Sequence, residues 1–265
     1  MPLFVDQLHR KVEITTKPKR IISIVPSQTE LLYDLGLTER VVGITNFCIH
    51  PKEWHRSKTR IGGTKKLKMD VIRELNPDLV IANKEENTKE EIEELCKEFP
   101  VWISDISTLK EALDMIRSVG EITNTENKAN KIALQIDSDF SVLEKEIPQL
   151  KLTCIYLIWH KPYMTVGTDT IINDMLTRCG LQNIITNTRY PIIAVDEIQQ
   201  RKPDLILLSS EPYPFKQKHI DELQELCPNA KILLCDGEYF SWYGSRLLGA
   251  ARYFRKLLSR INNVF

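Results

Sequence analysis

Two segments of the chain are written to one plan. Asp70-Val-Ile-Arg-Glu-Leu-Asn-Pro77-Asp78-Leu-Val-Ile-Ala82 and Asp196-Glu-Ile-Gln-Gln-Arg-Lys-Pro203-Asp204-Leu-Ile-Leu-Leu208 each carry an acidic residue seven positions before Pro-Asp, then an unbroken apolar run. A proline bars the continuation of a helix and pushes the residue before it out of the helical region. An apolar run without alternation is the pattern of a strand buried on both faces. Each segment therefore reads as a short helix, a Pro-Asp turn and a buried strand. Copies in separate halves of the chain predict two similar α/β lobes with a ligand cleft between them.

The surrounding pattern agrees. Arg20–Val25 reads as a strand, and Pro26–Leu35 as a helix with Ser27 and Glu30 at capping-box spacing and Gly36 at its end. Strands are expected at 41–45, near 79–82 and at 101–103, helices at 90–98 and 109–119, and irregular chain from 46 to 68. From Glu121 to Ile147 there is no glycine, and Ala129, Ile132, Ile136, Phe140 and Leu143 recur at three or four residues. This predicts one amphipathic helix of roughly 25 residues, about 38 Å long, ended by Pro148. The second lobe repeats the alternation, with strands at 152–158, 205–208 and 231–235 and helices at 170–179 and 245–261. The reading divides the chain into an N-terminal α/β lobe (1–120), a connecting helix (121–148) and a C-terminal α/β lobe (149–265).

Composition excludes several classes of function. Lys+Arg and Asp+Glu both total 36, so the net charge is zero and the basic footprint of a nucleic-acid binder is missing. No apolar run approaches the roughly 18 residues of a membrane span. The first ten residues lack the apolar stretch of an export signal, which is then either absent or removed. The six cysteines, at 48, 96, 154, 179, 227 and 235, form no Cys-x-x-Cys pair and read as buried thiols of a reducing compartment. Neither their spacing nor that of the histidines suits a zinc site. No nucleophile elbow, phosphate-binding Gly-rich loop or dinucleotide fingerprint is present.

Aromatic residues gather where strands end. Trp159 and Tyr163 leave one strand; Tyr239, Phe240, Trp242 and Tyr243 leave another, just before Arg246; Phe47, His50 and Trp54 follow the second strand of the first lobe. Parallel sheets bind ligands outside the carboxyl ends of their strands. These rings read as rims for a large, flat, partly apolar ligand, with Arg246 for a carboxylate or amide edge; the plainer reading is that they fill loop cores. His50 and His160 read either as hydrogen-bond partners or as contacts to the metal of a chelate.

These residues are similar to those of a known family. Arg20-Ile-Ile-Ser-Ile-Val-Pro-Ser-Gln-Thr-Glu-Leu31, Cys48-Ile-His-Pro51, Ile61-Gly-Gly63, Leu75–Ala82, Trp159–Gly167, Cys179–Asn183 and Tyr239 through Arg246 together resemble the helical-backbone class of ABC-transporter substrate-binding proteins, especially its vitamin B12-binding branch. The resemblance runs nearly end to end. It implies two Rossmann-like lobes joined by a rigid helix, no catalysis, no intrinsic cofactor, and a cleft for a cobalt- or iron-containing chelate: a corrinoid first, haem or a ferric siderophore next. It implies a monomer that docks on an ABC permease through one acidic residue per lobe, which align with Asp70 and Asp196; helix capping is the other reading of that pair. It also implies a periplasmic or cell-surface location, whereas the thiols and the missing signal point to the cytoplasm. The rival is an intracellular protein that keeps the fold and sequesters, delivers or acts on a cofactor.

Overall fold

The computed structural model describes residues 1–15, 17–147 and 152–262. Contacts divide the chain into two compact units. The first comprises Met1–Ile106, Lys110–Ile136 and Tyr243–Arg246; the second comprises Ser107–Leu109, Asp137–Trp242 and the chain from Leu247. The division falls inside the helix Glu126–Glu146.

The first unit is built on a five-stranded parallel sheet in the order Thr59–Arg60, Val41–Ile44, Ile21–Ser23, Leu79–Asn83, Val101–Ser104. Every residue of its last three strands is buried, because helices cover both faces, and this is why their sequences do not alternate. An antiparallel hairpin, Leu3–Val5 with Lys11–Glu13, precedes the sheet. The second unit has Thr153–Trp159 at its centre, with Leu205–Ser209 and Lys231–Cys235 parallel on one side. Gln182–Asn183 pairs with the central strand in parallel and Met164–Thr165 in antiparallel.

The repeated segments fold alike. In the first unit the helix Met69–Leu75 carries Asp70 as its second residue and stops at Asn76, which turns left-handed (φ 43°) before Pro77. In the second, Val195–Arg201 carries Asp196 as its second residue and stops at Lys202 (φ 47°) before Pro203. The aspartate of each Pro-Asp turn then fastens the start of the neighbouring strand. Asp78 accepts the backbone N–H groups of Lys19 and Arg20 at 2.7 and 2.8 Å. Asp204 accepts the N–H and the hydroxyl of Thr153 at 2.8 and 2.6 Å. Leu79 thereby lies opposite Ile21, and Leu205 opposite Cys154.

Three sequence expectations are corrected. The helix Pro26–Asp34 starts on Pro26, whose fixed φ suits the first helical position; its cap is Val25 with no side-chain bond, and Ser27 is buried inside it. The stretch 46–68 is not irregular: it holds the helix Lys52–Ser57, the edge strand Thr59–Arg60 and a hairpin of Gly62–Gly63 with Lys66–Leu67. The single helix from Glu121 is two helices, Leu109–Ile122 and Glu126–Glu146, separated by Asn124 at φ 55°. At this corner Gly120 lies so close to Ala129 that a Cβ on it would stand 2.3 Å from the alanine Cβ. The second helix, 21 residues and about 32 Å at 1.5 Å per residue, is shorter than expected. Its expected terminator, Pro148, lies outside the described residues.

Candidate functional site

In the first unit the chain leaving Val41–Ile44 passes through Phe47, Ile49 and His50 before the helix Lys52–Ser57 begins. Phe47 is 60% exposed, its ring lying against Gly63, and Ile49 is also exposed. Beside them the helix Pro26–Asp34 presents Glu30. Its carboxylate holds Arg246 by two parallel bonds, Nε to Oε2 at 2.9 Å and Nη2 to Oε1 at 2.7 Å. Burial raises the Glu30 carboxyl, against the downward pull of Arg246 and His50. The expected anchor Arg246 is thus met by a carboxylate of the chain itself, a correction to its reading as a cation held ready for ligand. Trp54 is no rim residue either; it is buried, edge-on to Tyr33 at 5.4 Å.

In the second unit Trp159 is the last residue of its strand and remains 39% exposed. It meets Tyr213 edge-on at 5.7 Å. The other aromatics divide. Tyr239 is half-buried and stacks on Tyr253 at 4.6 Å. Phe240, expected on the rim, is fully buried against Tyr156 and Phe254. Tyr163, also expected there, is buried in the core; that burial and its neighbour Glu222 push its hydroxyl up to about 12. Trp242 is buried and donates its indole N–H to Glu211 at 3.0 Å. Tyr243 is buried as well. Within the first unit, Gly244 is closely packed: a Cβ on it would stand 2.4 Å from the Ser27 carbonyl oxygen.

His160 is also settled. Its Nδ1 meets Tyr213 Oη at 3.3 Å and its Nε2 meets Glu222 at 3.4 Å, so both ring nitrogens are engaged within the protein. Among the described residues no group of three His, Cys, Asp or Glu is placed to hold a bare metal ion. A cavity of about 560 Å³ in the second unit is lined by Asn173, Thr177, Arg178 and Asn183 and contains none of the aromatic rim.

Sequence reasoning missed Glu30, Glu211, Tyr213 and His219. Glu211 is a half-buried carboxylate just past the strand Leu205–Ser209; it accepts from Ser241 Oγ at 2.6 Å and from Trp242, and its partial burial raises its carboxyl. The signal was available: Ser-Ser-Glu-Pro-Tyr follows an identified strand on the end where ligands bind.

Asp70 and Asp196 are exposed, in the first turns of their helices. The helix caps are Lys68 and Ala194, with no side-chain cap bond, so the capping reading of both aspartates falls. Asp70, 95% exposed, meets the edge of a guanidinium, Arg73 Nη1 at 3.3 Å, while Glu98 and Glu94 take the rest of that fork.

A family model described as periplasmic binding protein matches residues 21–226. The chain belongs to this family. It is a family of binding proteins rather than enzymes, in agreement with the resemblance read from the sequence. The vitamin B12-binding protein of Vibrio parahaemolyticus is 27% identical over 214 residues, 79% of this chain and 76% of that protein. The periplasmic vitamin B12 binding protein BtuF of Vibrio cholerae has a TM-score of 0.77 at 20% identity, over 92% of this chain and 97% of its own. The molybdate-binding protein MolA of Haemophilus influenzae has a TM-score of 0.81 at 14% identity, over 98% and 92%. These likenesses establish an α/β fold with two parallel-sheet lobes. Among the described residues no helix is long and apolar enough to cross a membrane.

Proposed function

We propose that this chain is the substrate-binding component of an ABC importer and that its ligand is a metal chelate, most specifically a corrinoid. The observation that carries the reading is Trp159: a large ring left 39% exposed at the carboxyl end of the central strand, braced from behind by Tyr213. Within the same unit Tyr239 adds apolar surface; in the first unit Phe47 is proposed as an apolar contact and His50 as a polar one. B12-binding and molybdate-binding proteins share the fold, so side chains rather than the fold set the ligand class. Exposed aromatic faces suit a broad apolar macrocycle and not a small oxyanion.

The Glu30–Arg246 pair refines the choice. Two charges joined in a fork present donors and acceptors with no net charge. Such a pair suits the amide-fringed edge of a corrinoid better than the carboxylates of haem. The resemblance of the chain to B12-binding relatives points the same way. Asp70 and Asp196, exposed and equivalent in the two units, are proposed to meet the permease.

The test is a titration of the purified protein with cyanocobalamin, cobinamide, haem, a ferric siderophore and molybdate, followed by absorbance and tryptophan quenching. Corrinoids should bind most tightly, and Trp159→Ala should weaken them by about 1–3 kcal/mol. Tight molybdate binding, or no response to any chelate, would overturn the reading.

A further inference from the structure

Beneath Trp159 lies a chain of hydrogen bonds whose direction is fixed at one end. The backbone N–H of Lys216 points at His219 Nδ1 at 2.9 Å. A backbone amide can only donate, so Nδ1 is a lone pair and the neutral ring carries its proton on Nε2. That Nε2 lies 3.1 Å from Tyr213 Oη and donates to it. The Tyr213 proton then goes to His160 Nδ1 at 3.3 Å. His160 must carry its own proton on Nε2, which faces Glu222 at 3.4 Å. One amide thus sets two tautomers and the orientation of one hydroxyl. The assembly is tightly packed: His219 is buried, its ring 4.9 Å from that of His160, with Phe215 edge-on to both at 5.3 and 6.3 Å.

We propose that His219, Tyr213 and His160 form a one-way relay that positions Tyr213 against Trp159, so that the exposed ring of the second unit keeps its place only while both imidazoles are neutral. Tyr213 and His219 are positioning residues in this scheme. The functional consequence rests on the reading of Trp159 as a ligand contact; the relay itself does not.

A second proton on His219 would set an Nδ1–H against the Lys216 N–H, donor facing donor. A second proton on His160 would make its Nδ1 a donor to Tyr213 Oη and leave the tyrosine proton without its acceptor. The groups facing His219 are the Lys216 amide, the Tyr213 hydroxyl, the His160 imidazole, the Lys218 ammonium and the Glu222 carboxylate. Burial is the largest influence on His219, followed by His160 and Lys218, and all three lower its affinity for a proton. Those facing His160 are Tyr213, Tyr163, His219 and Glu222. Acid therefore acts on the relay first by breaking its direction.

The experiment uses the whole protein without ligand. Long-range proton–nitrogen NMR should show both His160 and His219 as Nε2–H tautomers at about pH 7.5. With 5-fluorotryptophan incorporated, and the Trp159 resonance assigned by its loss in Trp159→Phe, that resonance should shift in step with histidine titration on acidification. Tyr213→Phe keeps the ring and removes the hydroxyl, and should uncouple the two signals. An Nδ1–H tautomer for His219, or a Trp159 resonance indifferent to histidine titration in the unsubstituted protein, overturns the relay. Cyanocobalamin affinity is the second arm, with Tyr213→Phe expected to weaken it between about twofold and tenfold. Correct tautomers and a coupled Trp159 signal without chelate binding would sink the functional reading and leave the relay standing.

Discussion

Glu30 and Arg246 form a two-pronged ion pair, with both side chains more than four-fifths removed from solvent and N···O distances of 2.7 and 2.9 Å. At such a site, removing one partner costs more than the pair itself contributes, because the surviving charge keeps its desolvation penalty. Its geometry also fixes what a ligand meets there: a satisfied guanidinium rather than a free cation.

Replacing Glu30 by Gln should therefore act twice. It should destabilise the protein by about 1–3 kcal/mol, read from urea denaturation. It should also take the Glu30 counter-charge away from Arg246, so that binding of carboxylate-bearing haem strengthens relative to cyanocobalamin. An unchanged preference would show that the pair does not face the ligand.

The Pro-Asp turns can be tested separately. Asp204→Ala removes two acceptor contacts to Thr153, both partly buried, and should cost about 2–3 kcal/mol. Asp78→Ala removes two contacts to Lys19 and Arg20 that face solvent, and should cost about 1 kcal/mol. Equal losses in urea denaturation would contradict this ordering.

Glu211 gives stability a distinctive pH dependence. Burial raises its folded-state value above the ordinary carboxylate value, with Ser241 and Trp242 opposing. The folded protein therefore binds the proton more tightly than the unfolded chain. The resulting contribution is complete below the unfolded value and is lost as pH climbs through the raised folded value. Comparing urea denaturation of the unsubstituted protein and Glu211→Gln across this window should show a difference that changes only there, in the direction of relative loss for the carboxylate as pH rises.

For Asp70 and Asp196, charge reversal should separate docking from ligand binding. Asp70→Lys and Asp196→Lys place a cation in a helix first turn and should cost about 0.3–1 kcal/mol each. Chelate titrations should be unchanged, while association with membranes carrying a permease partner should be lost. Retained association in the double variant would remove both residues from the docking role.

The parts of the fold that could be read in advance are those decided locally. The helix, turn and strand at Asp70–Ala82 and Asp196–Leu208 were legible because proline stops the helix and double-sided burial makes the strand apolar. The corner at Thr123–Thr125 was not, because Asn124 turns left-handed where Gly120 lets the helix close on Ala129, a contact that periodicity does not encode. The inward turn of the aromatic run at 239–243 was not legible, because Phe240 packs on Tyr156 and Phe254 and Trp242 bonds Glu211, partners that lie far away in sequence or are set by tertiary packing. Tyr213 gave no sign of its role, since one of its two histidines lies 53 residues away in sequence.

The assignment of Tyr243–Arg246 to the first unit has a practical corollary for anyone dissecting this protein. A fragment ending at Ile136 would carry nearly the whole of that unit and yet contain Glu30 with its counter-ion cut away. Four late residues supply the charge that an early helix needs. The first unit is continuous in space but not in the gene, and its shortest faithful version runs to Arg246.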